Sequence, residues 1–130
     1  MLVIDRKKKD WPGLTLPGGH VEVNEDFNSS IIREVKEETG LTILNPNLCG
    51  IEEFKTKKED RYIILFYKTN KFKGKIKSSN EGKTFWINKK DLNKYKLSLD
   101  LKRILKVIED KNLNEIIYYK NKNKWQSKIV

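Results

Sequence analysis

Three observations predict an α/β fold for this chain. Strand-length apolar runs recur at residues 41–44, 49–54, 62–67 and 84–87, each bounded by polar or glycine-containing stretches. Two other segments carry the helical period: Phe27, Ile31 and Val35 at four-residue spacing, then Leu97, Leu101, Ile104, Leu105 and Ile108. Finally, 130 residues is the length of one domain, expected over 1–130, and 37% hydrophobic residues with 10% aromatics suffice for a core. Strands with two helices laid against them make a layered α/β domain.

In chain order, Leu2-Val3-Ile4 reads as a strand end, and residues 7–13 form a charged loop closing on Trp11-Pro12-Gly13. Leu14-Thr15-Leu16 is a short strand, stopped by Pro17-Gly18-Gly19, because proline and glycine punctuate structure. His20-Val21-Glu22-Val23 alternates polar and apolar, a strand pattern. Asn24-Glu25-Asp26 offers N-caps, and Gly40 supplies a stop, so a helix is expected over 27–39 with Phe27, Ile31 and Val35 toward the core. The four apolar runs follow as strands, with 68–82 a polar connector. A second helix is expected over 99–110. Residues 115–119 and 125–130 flank Lys120-Asn121-Lys122-Asn123-Lys124 and predict a closing hairpin. Trp11, Phe27, Tyr62, Phe66 and Trp86 are expected as core or cleft walls, one or two of them available to stack on a base.

The formal net charge is +10, from 28 Lys and Arg against 18 Asp and Glu. Arg occurs only at Arg6, Arg33, Arg61 and Arg103, alanine is absent, and Asn and Ile are abundant. Lys, Asn and Ile have A/T-rich codons and alanine does not, so a low-GC genome explains the excess. Solvated lysine is the expected state of this charge, and nucleic acid is not the expected partner, although a mild attraction for polyanionic substrates persists. No run approaches the roughly 18 apolar residues of a membrane span. The first residues lack the basic-then-apolar order of a signal peptide. A cytoplasmic location without membrane association is expected. Cys49 is the only cysteine, which excludes an intrachain disulfide and a cysteine zinc site. It is expected to be a small buried hydrophobe. His20 alone makes a poor metal case; a structural or substrate hydrogen-bonding role is expected of it.

The chemistry concentrates in residues 19–41. On the first helix Glu34, Glu37 and Glu38 stand at i, i+3 and i+4, so at 100° per residue they share one stripe. Like charges so spaced repel and cost helix stability. A crowded acidic edge of this kind wants a hard divalent cation, Mg²⁺ or Mn²⁺, held by carboxylate oxygens and water. By themselves three glutamates on a lysine-rich helix describe an ordinary solvated face. Their company shifts the balance: Pro17-Gly18-Gly19 brings bare backbone near the helix start, and Arg33 can pair with carboxylates of the loop and helix.

Gly19, five residues, Glu25, seven residues, then Arg33-Glu34-Val35-Lys36-Glu37-Glu38-Thr39-Gly40-Leu41 resembles the Nudix box over residues 19–41, with every fixed position filled. Leu16-Pro17-Gly18-Gly19-His20-Val21-Glu22 and Glu81-Gly82-Lys83-Thr84-Phe85-Trp86 further resemble the bacterial MutT-like 8-oxo-dGTP diphosphatases. The resemblance implies an α/β/α sandwich with a mixed β-sheet and hydrolysis of a nucleoside diphosphate linked to another moiety. It implies metal binding by Glu34, Glu37 and Glu38, with the Gly18 carbonyl as a further ligand. Glu25 and Arg33 are similar to the pair that braces loop and helix. Glu81 is similar to a carboxylate that some members bring from a distant loop; an exposed turn residue is the equal alternative. Ser29-Ser30 stands where alanines are common.

The mechanism so implied has Mg²⁺ neutralising the pyrophosphate oxygens and acidifying a water, whose proton passes to Glu34 or Glu81. Attack at the β phosphorus releases a monophosphate and pyrophosphate. Arg6 is a candidate phosphate holder, and Lys7-Lys8-Lys9 reads more readily as a solvated loop. The expected activity is cleavage of a nucleoside triphosphate such as 8-oxo-dGTP. The alternatives are another nucleoside-diphosphate-linked substrate, RNA 5′ ends, or a non-catalytic nucleotide-binding module. The family pattern also places a full strand ahead of the segment matching residues 2–6. With that strand lacking, Leu2-Val3-Ile4 is expected beside a vacancy, which invites a homodimer through the open edge.

Overall fold

The structure, a computed structural model, describes residues 1–130. The order of elements is β1 (Leu2–Arg6), β2 (Gly13–Thr15), α1 (Phe27–Thr39), β3 (Thr42–Leu44), β4 (Asn47–Lys55), β5 (Arg61–Lys68), β6 (Lys71–Lys73), β7 (Gly82–Trp86), a short 3-10 helix (Lys89–Lys94), α2 (Leu101–Glu109), β8 (Glu115–Asn121) and β9 (Lys124–Ile129). This is a mixed α/β fold. The chain gathers into two compact units, residues 1–46 with 69–101, and residues 47–68 with 102–130.

In the first unit, β1 is the middle strand of an antiparallel sheet ordered β2-β1-β7. Ile4 faces Thr15 on one side and Thr84 on the other. Val3 and Ile4 are both buried, so both faces of β1 are covered, as consecutive side chains on a strand point opposite ways. β7 pairs with residues 2–6 along one edge of β1 and β2 with Ile4–Arg6 along the other, so the vacancy expected beside residues 2–4 is narrowed to Leu2 and Val3 on the β2 side. Even β2 is flanked, since the Leu14 amide donates to the Lys96 carbonyl and the Ser98 amide to the Leu14 carbonyl.

Helix α1 begins and ends where its caps dictate. The Asp26 carboxylate accepts from the Ser29 amide at 2.8 Å and from the Ser29 hydroxyl at 2.6 Å, which holds its pKa down. Gly40 takes the left-handed conformation, φ 80°, and its amide closes on the Lys36 carbonyl. Val35 and Thr39 are buried. The buried Thr39 hydroxyl is satisfied, donating to the Val35 carbonyl and accepting from the Leu41 amide. A Cβ on Gly40 would stand 2.7 Å from the Lys75 carbonyl oxygen, in a conformation other residues resist. Gly40→Ala should therefore cost about 1–3 kcal/mol of stability, read from urea unfolding; a loss below a few tenths would show that the turn relaxes freely.

Several sequence expectations fail here. Residues 20–23 form no strand; Val23 is 91% exposed, and the Glu25 amide turns back to the Glu22 carbonyl instead. Phe27 is exposed, being the first residue of α1, beyond the stretch from Ser30 to Thr39 that packs. Trp11, Tyr62 and Trp86 are exposed too, leaving Phe66 as the core member of the five aromatics. Trp11 sits at φ 56° in its loop. Trp86 lies against the equally exposed Phe72 of β6, a strand hidden in the polar stretch 68–82 and paired with β3 through Ile43 and Phe72.

In the second unit a mixed four-stranded sheet runs β5-β4-β8-β9, with β4 and β8 parallel. Phe66, Val107 and Ile116 form its core, with Cys49, Ile104, Ile108, Leu113, Tyr118 and Ile129 packed around them. Cys49 is only partly buried; its thiol donates to the Phe66 carbonyl, and desolvation pushes its pKa up. The expected hairpin is present as β8 and β9, turned by Lys122 and Asn123 at φ 47° and 63°.

Candidate functional site

Glu25, Arg33, Glu34, Glu37, Glu38, Glu81 and Gly18 all lie in the first unit. Arg33 is the hub. Its Nε and Nη2 donate to the two oxygens of Glu25 at 2.8 and 2.9 Å, a bidentate fork. Nη1 donates to Glu34 at 2.7 Å and to Glu37 at 3.3 Å, and Nη2 also reaches the His20 carbonyl at 3.1 Å. One guanidinium thus ties the loop after Gly19 to the first turns of α1, and it offsets the repulsion that the glutamate spacing creates. The Arg33 hydrogen bonds hold the Glu25 carboxyl down at about 2, helped by the Glu22 amide. The same partners raise Arg33 further above the physiological range.

Because the folded pKa of Glu25 lies below its ordinary 4.5, the stability it contributes is complete above about 4.5 and is lost as pH falls toward about 2. Thermal melting of the wild type and of Glu25→Gln should therefore differ near neutral pH and converge through that window. A gap that stays constant in acid would mean Glu25 acts by packing instead of charge.

Glu38 points the other way. Its Oε2 accepts from the Gly18 amide at 2.8 Å. Burial pushes its carboxyl up to about 7 against that hydrogen bond, and the charges of Glu34 and Glu81 add to the rise. Glu81 stands on the turn before β7, where Lys8 Nζ donates to Oε1 and Arg6 Nε lies 3.6 Å from Oε2. Lys8, which the sequence placed in a solvated loop, meets Glu81 across 73 residues of chain, a pairing no local pattern announces. Arg6 lies between Glu81 and Asp10, the latter at 3.8 Å. Gly19 stands directly against the Glu34 carboxylate, so that a Cβ there would overlap it.

The three helix glutamates therefore do not act as one group. Glu34 and Glu37 face Arg33 and Glu38 faces Gly18, and no three His, Cys, Asp or Glu side chains are gathered around one point for a metal. The donor chemistry nonetheless suits a hard cation: every candidate ligand is an oxygen.

No helix is long and apolar enough to cross a membrane. The NUDIX domain model matches residues 1–108. An uncharacterised Nudix hydrolase of Bacillus subtilis, YvcI, is 31% identical over 97 residues, 71% of this chain and 60% of its own. The ADP-ribose pyrophosphatase of Methanocaldococcus jannaschii is 31% identical over 109 residues, 82% of this chain and 63% of its own. The chain thus spans about three fifths of the length of the curated relatives it matches. The crystal structure of the mutator protein MutT from Bacillus halodurans superimposes with a TM-score of 0.76 at 24% identity, covering 98% of this chain and 88% of that one, which shows the shared fold. With the family model matched over most of its length, this chain belongs to the NUDIX domain family.

Proposed function

We propose that this protein hydrolyses the pyrophosphate linkage of a nucleotide with the help of a divalent cation, Mg²⁺ or Mn²⁺. The observation that carries the reading is the bracing of loop and helix by Arg33, which binds Glu25, Glu34 and Glu37 at once, while Glu38 on the same helix accepts from the Gly18 amide. Nudix hydrolases generally use divalent metals. Glu34, Glu37, Glu38 and Glu81 would hold the cation here, with the Gly18 carbonyl beside them. Bound there, it would neutralise phosphate charge and favour deprotonation of the attacking water. Arg33 keeps Glu34 and Glu37 in place. Lys8 and Arg6, already on Glu81, present two cations to the phosphates. The proton passes to Glu34 or Glu81, and the pH–rate profiles of Glu34→Gln and Glu81→Gln separate the two: the base is the one whose loss abolishes the acidic limb.

A nucleoside triphosphate such as 8-oxo-dGTP, split to monophosphate and pyrophosphate, fits the MutT-like motifs around the box. The archaeal relative named for ADP-ribose favours a second reading, a nucleoside diphosphate linked to a sugar. The deciding experiment measures pyrophosphate and phosphate release from 8-oxo-dGTP, dGTP and 5′-triphosphorylated RNA, and formation of AMP from ADP-ribose, each with Mg²⁺, with Mn²⁺ and with chelator. Cation-dependent turnover of one nucleotide is expected; no turnover of any would leave a binding module. Cation binding to the folded state should also raise the melting temperature.

A further inference from the structure

From the second unit we infer a surface for single-stranded nucleic acid on the β8–β9 hairpin, separate from the carboxylate site and independent of the hydrolase reading. Lys120, Lys122, Lys124 and Lys128 crowd this hairpin, and no acidic residue lies between Glu115 and Val130. The pairing register sets the geometry. Tyr118 faces Ser127 and Lys120 faces Trp125, so these four share one face with Ile116 and Ile129. The Ile116 end of that face is core. The outer end is open: Trp125 is 54% exposed, and Lys120 Nζ stands over its ring at 5.2 Å.

Between them, Arg103 of α2 lies over the Tyr118 ring at 5.4 Å and donates to the Tyr118 hydroxyl at 3.2 Å and the Ser127 hydroxyl at 2.7 Å. Two cation–ring pairs, Arg103 on the core-packed Tyr118 and Lys120 on the open Trp125, therefore line one face of the hairpin, and Tyr119, Lys124 and Lys128 line the other. The type of partner follows from that chemistry. No acidic residue lies between Lys120 and Lys128, so the complementary surface is a polyanion. The exposed rings of Trp125 and Tyr119 add stacking, which a single strand offers and a duplex withholds. Genome-wide lysine bias accounts for the number of lysines but not for aromatic rings set between them at cross-strand positions.

The test is fluorescence anisotropy with labelled strands of about 12 nucleotides, DNA and RNA, carrying 5′-hydroxyl ends and no phosphoanhydride. One variant changes Lys120, Lys122, Lys124 and Lys128 to Gln. Its control changes Lys71, Lys73, Lys75 and Lys77 to Gln, removing the same charge from the first unit. The hairpin variant should lose at least about tenfold in affinity and flatten the salt dependence; the control should lose under about threefold. Trp125→Ala should cost about tenfold and leave the salt slope unchanged. Melting curves matching the wild type establish that each variant folds. Equal losses in both lysine variants would reduce the effect to net charge and overturn the proposal. So would an unaffected Trp125→Ala, tighter binding of duplex, or equal binding to vesicles containing phosphatidylglycerol.

Discussion

Glu38→Gln is expected to abolish cation-dependent hydrolysis, by about three orders of magnitude, in a protein that melts at or above the wild-type temperature. The two effects have separate causes. Glu38 is the carboxylate that burial and two neighbouring negative charges hold at about 7. A glutamine removes the charge a cation needs. Its amide oxygen still accepts from the Gly18 amide, which is the contact that joins the glycine turn to α1. The folded pKa of Glu38 is raised above its ordinary 4.5, so its ionisation opposes folding increasingly from about 4.5 to about 7, and the neutral amide escapes that opposition. Steady-state turnover at saturating substrate and Mg²⁺, paired with a melting curve near pH 8, measures both. Turnover within tenfold of wild type would remove Glu38 from the metal site.

Gly19→Ala is the second large effect, expected to lower turnover by about a hundredfold with little change in stability. Gly19 has an ordinary backbone conformation, so alanine brings no strain of its own. What its Cβ meets is the carboxylate end of Glu34, the far tip of a flexible side chain that can swing aside. The fold accommodates the methyl group and Glu34 leaves its place beside Arg33. Displacements of about 1 Å in a reacting constellation cost rates of about that size. Adding Glu34→Asp withdraws the carboxylate by one methylene. The double variant should then lose less than the product of the single losses, a coupling that a kinetic double-mutant cycle reads directly. Strict additivity would mean that Gly19 acts through something other than Glu34.

The residues that the sequence made legible are those whose roles are local. Helix α1 ends on Thr39 because Gly40 can turn left-handed and starts after Asp26 because a carboxylate caps it, and both signals lie within a few residues of what they control. The hairpin turn at Lys122 and Asn123 was legible for the same reason. The candidate site was legible because its spacing lies within one segment of 23 residues. Tertiary structure decided the rest. Residues 20–23 alternate like a strand, yet the loop they occupy is spent on the turn to Glu25 and on handing the His20 carbonyl to Arg33. Phe27, Trp11 and Trp86 are large and apolar but stay about half exposed, because burial depends on neighbours distant in sequence. One edge of β1 is paired along its whole length by β7, whose residues lie some eighty positions away. Lys8 and Arg6 meet Glu81 by that same pairing, which aligns Arg6 with Gly82. Local chemistry writes caps, turns and a helical stripe of carboxylates into the chain; which charges those carboxylates finally face is settled only when strands far apart in sequence come side by side.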